Sequence, residues 1–235
     1  MNIFSAQGPM ETTGTIDASG RAIVADGYGN GGNGGSDDVT GDGAERLGGR
    51  IRANGQAIGS SPDNLIGGTA GVILVDAGGP VSLDGEISLK GKRNGGPGWA
   101  SIRSQADFRQ SPGSRIVANG SLAGPSGEGG DFEISAGGDA ELGAIDVSGM
   151  SGGNLTVTAG GAIRVRGPLD ARGLGRFGSG GAIDLEAAGP VMVDGMVFSR
   201  ALGPGGTAGR ISCTAAEVHL QPAAPVDSRG FYGPG

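Results

Sequence analysis

Three aspartates and three arginines have the residue types and spacing best suited to chemistry in this chain. Asp146, Asp170 and Asp227 each sit one residue past a large apolar residue (Ile145, Leu169 and Val226) in the short segments AIDVSG, PLDARG and PVDSRG. Stacked strands carrying this segment would set successive carboxylates about 5 Å apart, close enough for an acid and a nucleophile to flank one glycosidic bond. Arg172 and Arg229 lie two residues beyond Asp170 and Asp227, on the same side of an extended strand, so ion pairing is the competing use of those carboxylates. With Arg200 they form a second column on three consecutive turns, and Arg164, Arg166 and Arg176 lie nearby in sequence. Such a guanidinium column suits an anionic polysaccharide, unless the aspartates neutralise it.

Other reactive residue types are scarce. The single cysteine, Cys213, takes the place that Leu185 holds one turn earlier. It is therefore expected to point inward as a small hydrophobe rather than act as a reactive thiol. The single histidine, His219, lies between Val218 and Leu220 and is expected to face solvent, with no second histidine to complete a metal site or a triad. The segment YGNGGNGGSDDVTGDG (28–43) holds Asp37, Asp38 and Asp42. It differs in phase from glycine-rich calcium repeats, because Ser36 stands where the aspartate belongs, and it occurs once. It reads as a flexible acidic loop with at most weak calcium affinity. One Trp, two Tyr and six Phe are few for a sugar-binding platform. No cofactor and no metal are implied.

The elements that must position these residues announce themselves by repetition. Eight segments end alike: TIDASG (15–20), RIRANG (50–55), EISLKG (86–91), RIVANG (115–120), AIDVSG (144–149), PLDARG (168–173), MVFSRA (196–201) and PVDSRG (225–230). Their apolar anchors fall at 16, 51, 87, 116, 145, 169, 197 and 226. Ahead of most of them come two further short strands in which apolar residues alternate with polar ones, as in Ile183/Leu185/Ala187 then Val191/Val193. The 54 glycines sit between strands, where corners need them, and do not fall at every third position as collagen requires. One such turn buries too little to stand alone, so neighbouring turns must stack.

The expected fold is all-β: a right-handed parallel β-helix, a three-sided solenoid of about eight coils and roughly 40 Å long, forming a single domain over residues 1–235. Ile3/Ser5, Met10/Thr12 and Ile16/Ala18 are expected to face inward in the first coil. The second coil is the poorest, with Val39, Ala44 and Leu47 before Ile51 and Ala53, and a long corner insertion is expected over 20–48. Further insertions fall at the same corner, after the third strand of each coil.

A net charge of −7 argues against nucleic acid as a partner. No apolar run is long enough to span a bilayer. The opening MNIFSAQG lacks a signal-peptide pattern, and one cysteine cannot form an internal disulfide.

The segments GTIDASG (14–20), GGNLTVTAGGAIRVRGPLDARG (152–173) and GGAIDLEAAGPVMVDG (180–195) resemble the shaft repeats of filamentous-haemagglutinin-like secreted bacterial β-helix proteins. The resemblance covers essentially the whole chain. It implies the solenoid, a bacterial origin, a place outside the cell or on its surface, and a structural or adhesive role with no catalytic motif. The leading expectation is thus a non-catalytic fibre or shaft segment that associates end to end through uncapped rungs. Its ends would be Ile3, Met10 and Ile16 on one side and Ile211, Val218, Leu220 and Val226 on the other, and the partner another copy or the rest of a longer chain. Two alternatives stand beside it: a polysaccharide-active β-helix hydrolase or lyase, and a surface protein that binds anionic glycans through Arg172, Arg200 and Arg229.

Overall fold

Period-two alternation builds each coil. In Asp131–Ala136 the residues Phe132, Ile134 and Ala136 are buried while Asp131, Glu133 and Ser135 face outward. Gly137 and Gly138 turn the chain into Ala140–Leu142, which buries Ala140 and Leu142, and Gly143 turns it again into Ala144–Asp146, which buries Ile145. A strand of three residues has no stable existence alone; its backbone groups are satisfied by the strands one coil before and one coil after. In the computed structural model, which describes residues 2–20, 23–25, 28–30, 33–55, 68–92, 95–121, 127–222 and 224–230, this unit recurs from end to end.

The described strands form three parallel sheets of eight strands each, one strand of every coil contributing to each sheet. The architecture is a three-sided β-solenoid of eight coils. The third-strand anchors align in one inward column, Ile16, Ile51, Ile87, Ile116, Ile145, Leu169, Val197 and Val226. A separate antiparallel pair, Ile23–Ala25 with Tyr28–Asn30, lies in the corner segment between the first two coils.

The first two coils depart from the sequence expectation. The opening strand Asn2–Ala6 pairs with Ser36–Gly41 so that Phe4, not Ile3 or Ser5, continues the column of Val39 and Val75. Ile3 stands in register with Asp38. Three apolar residues of the run Asn2-Ile3-Phe4-Ser5-Ala6 permit either phase, and the partner strand decides it. The insertion expected over 20–48 ends earlier, because 36–41 and 45–47 are strands. Their inward positions include Asp37 and Glu45, so a search for alternating apolar residues passes over them. Glu45, not Ala44, shares the column of Met10 and Val81.

Glycine is obligatory where the corner backbones stack in contact. A Cβ on Gly85 would lie 1.8 Å from the Gly49 carbonyl oxygen, and one on Gly49 would lie 1.7 Å from that of Gly14. No side-chain rearrangement relieves a clash with backbone. The variant Gly85→Ala is therefore expected to lose stability at the upper end of the roughly 1–3 kcal/mol typical of overpacked sites. Urea unfolding against wild type checks this, and an unchanged midpoint would show that the corners do not pack as tightly as described.

Candidate functional site

The outer face of the third sheet carries the residues singled out above. The column runs Asp17, Arg52, Ser88, Val117, Asp146, Asp170, Phe198 and Asp227. Asp146 and Asp170 are neighbours on adjacent coils, as their spacing requires. Both carboxylates have partners. Asp146 accepts from Asn119 Nδ2 at 3.1 Å and from the Ser148 hydroxyl at 2.6 Å. Asp170 is gripped in a fork by Arg172, whose Nη2 lies 2.5 Å from Oδ2 and whose Nε lies 2.8 Å from Oδ1. Asp227 receives Arg229 at 2.8 Å and Arg200 at 2.9 Å. The hydrogen bond from Arg229 is the main reason its carboxyl is held well below the usual carboxylate range.

The arginine column is therefore assembled with every member paired, Arg200 and Arg229 sharing the one carboxylate of Asp227. The Phe198 ring sits between two of its members, 5.5 Å from the Arg172 guanidinium carbon and 5.4 Å from that of Arg200. Each cation lies over the negative ring face, an attraction that adds to its ion pair. The aspartate partners of Arg172 and Arg229 are legible at the i, i+2 spacing; the contact with the Phe198 ring depends on cross-coil register and is not. Arg164 belongs to the second sheet and pairs with Asp194 at 2.8 Å, Arg166 pairs with Glu141 at 2.8 Å, and Arg176 stacks on Phe177 in the corner segment, so these three do not enlarge the column into a patch. A depression of about 560 Å³ on the neighbouring corner is lined by Arg50, Asp84, Glu86 and Arg115, and of these Arg115 pairs with Glu86 at 2.8 Å and Asp84 with Arg46.

The last coil presents its inward columns without a cover among the described residues, and the first coil does so only in part. Val218, Leu220 and Val226 are 45%, 57% and 43% exposed, and Ile211 is half-buried against the core. Cys213 does share the column of Leu185, yet it is exposed, because no further coil lies over it. At the other end Met10 packs partly against the core, Ile16 is buried and Phe4 is exposed. Ile3 is described only by its backbone register. His219 faces outward, 3.0 Å from Glu217.

The second coil holds two inward carboxyls within the stretch where the sequence predicts a corner insertion. Asp37 and Glu45 are 0% and 2% exposed. Alternation sends Asp37 and Asp38 to opposite faces of one strand, so 28–43 is not a continuous acidic loop. Among the described residues no group of three His, Cys, Asp or Glu side chains is placed to hold a metal ion. Asp37 Oδ1 accepts from Asn2 Nδ2 at 2.8 Å, while its Oδ2 and both oxygens of Glu45 have no hydrogen-bond partner. The lack of a side chain at Gly41 makes room for Glu45, since a Cβ there would lie 2.8 Å from Glu45 Oε1. Desolvation, reinforced by Asp76, pushes the Glu45 carboxyl up to about 7, and desolvation raises Asp37 as well.

One family model matches the chain, over residues 129–193, with the description "Repeats of unknown function (DUF5649)". The matched stretch runs from the fifth coil into the seventh, where the alternation is most regular. No curated protein matches the chain, and no solved structure does.

The buried glutamate sets a pH dependence. Between about pH 4.5 and 7 the folded chain retains a proton at Glu45 that the unfolded chain has released, so stability falls as pH rises through this window and is flat above it. The loss is up to about 3 kcal/mol. Glu45→Gln, neutral at every pH, is expected to remove more than half of the decline seen in wild type between pH 5 and pH 8. Urea melts at the two pH values decide it; parallel declines in both proteins would refute the burial of an ionisable carboxyl here.

Proposed function

We propose that this chain is a non-catalytic structural segment, a shaft or adhesive fibre working outside the cell, whose end coils join a further parallel coil of another copy or of a longer chain. The observation that carries this reading is the state of the ends. Each end of the stack is an edge for all three sheets at once, and edge strands offer unpaired N–H and C=O groups to any chain that can pair with them. The two ends also match in register. Continuing the columns across a junction sets Phe4 against Cys213, Met10 against Val218, Thr12 against Leu220 and Ile16 against Val226, with Glu11 beside His219 on the outside. Asp17 would meet Asp227, whose charge is already offset by Arg200 and Arg229. A heterologous contact of this kind does not close on itself and propagates as a filament.

Magnitudes bound the outcome. Five apolar side chains, Phe4 and Met10 on one face and Val218, Leu220 and Val226 on the other, would lose about half their exposure, worth roughly 1 kcal/mol each. That sum lies near the lower end of the roughly 4–15 kcal/mol cost of association, so the ladder hydrogen bonds decide the balance. Assembly is expected to depend on concentration. The engagement of Asp146, Asp170 and Asp227 weighs against a catalytic pair on the third sheet, and the pairing of Arg172, Arg200 and Arg229 weighs against an anion site there.

Electron microscopy and light scattering of the purified chain test the proposal. Unbranched fibres a few nanometres wide are expected above a critical concentration. Val226→Arg is expected to leave the circular dichroism unchanged and abolish the fibres. Fibres that persist in that variant, or wild-type chain that stays monomeric at every concentration reached, would overturn the stacking reading.

A further inference from the structure

The outer face of the first sheet bears an aromatic shelf that the third-sheet columns do not explain. Trp99 opens the strand Trp99–Ser104 and is 39% exposed. Its register partners on the next two coils are Asp131 and Asn154. Two residues on, the same face carries Ser101, Glu133 and Thr156 in a second column. Trp99, Asp131, Glu133, Asn154 and Thr156 line an open depression of about 380 Å³. The strands beneath are pinned by the buried Phe132, Ile134, Leu155 and Val157, so the shelf is preformed.

Its polar groups are poised unevenly. Asn154 Nδ2 donates to Asp131 Oδ1 at 2.7 Å, which ties the two side chains together and leaves Asp131 Oδ2 without a partner among the described residues. Glu133 has no hydrogen-bond or ion-pair partner among the described residues. Ser101, 3% exposed, keeps a hydroxyl with no partner although it lies on the outer side of the strand. The neighbouring coil adds Val72 and Leu74 in register with Trp99 and Ser101. One side of the shelf is thus apolar; the other combines carboxylate acceptors, an amide and the Thr156 hydroxyl.

We propose that this shelf binds a neutral sugar ring, one unit of an uncharged glycan lying against the side of the rod. A pyranose is amphipathic in the same sense: its C–H face stacks on an indole ring, and its hydroxyls donate to carboxylates and accept from amides and hydroxyls. Two carboxylates without a cationic partner disfavour an anionic sugar. Coils rise about 4.8 Å, close to the length of one sugar unit, so a glycan running along the axis meets Asp131 and Asn154 with neighbouring hydroxyls. The site lies on the side of the solenoid and stays open whether or not the ends are joined.

Trp99 is the only tryptophan in the chain, so its fluorescence reports this site alone. The full chain is titrated with neutral oligosaccharides of glucose, galactose, mannose and N-acetylglucosamine. The expected result is a saturable emission change with at least one series, weakened about tenfold by Asp131→Ala or Glu133→Ala, each removing about one hydrogen bond to a charged group. Calorimetry with Trp99→Ala is expected to show no binding while circular dichroism stays unchanged. Absence of a saturable response to every series at about 10 mM overturns the proposal. So does a response to choline without one to sugars, which would assign the shelf to a cationic ligand through the indole face and the two carboxylates.

Discussion

Parallel stacking in strict register is the constraint on which everything else rests. Every strand of two to six residues borrows its stability from the strand before and the strand after, so each inward position must suit the same column through all eight coils. Ile, Leu and Val fill the third-sheet column without exception, and most polar inward residues elsewhere are allowed only where the backbone satisfies them. Gln110 is the clearest case: its amide donates to the Ala144 carbonyl at 3.0 Å and accepts from the Gly143 N–H at 3.0 Å, capping the corner beneath it.

The same constraint explains what could be read from the sequence. From the third coil onward most first- and second-sheet strands carry two or three inward apolar residues and the third-sheet strands one, all between glycine-rich corners, and the strand phases follow directly; all eight third-strand anchors lie where the repeat puts them. The first two coils were less legible for two separate reasons. In Asn2–Ala6 adjacent apolar residues make the phase ambiguous, and only pairing with Val39 resolves it. In 36–47 Val39 and Leu47 are inward as expected, but two further inward positions carry the carboxyls of Asp37 and Glu45, which no reading based on hydrophobicity sends inside. Cys213 was placed in the right column but with the wrong exposure, since burial depends on a neighbouring coil and not on the residue's own strand.

Outward chemistry is harder to read, because nothing in a period-two pattern says which outward residues will be neighbours. The i, i+2 pairs Asp170–Arg172 and Asp227–Arg229 were visible within single strands. The Trp99, Asp131 and Asn154 set is spread over three coils of unequal length, and only the register brings it together. Register, once known, turns a scattered composition into columns, and a solenoid displays those columns at nearly constant pitch.

The orientation of the ladders has a mechanical consequence. Hydrogen bonds between coils point along the rod, while the covalent chain runs around it. A pull between the two termini therefore does not shear a sheet, which would load many bonds together. It detaches the outermost coil three short strands at a time, and each coil released exposes the next edge in the same geometry. Such a rod yields in steps of one coil at a nearly constant low force and can rewind from the edge that remains. The coil that holds the two buried carboxyls, next to one end, is an early step in that sequence.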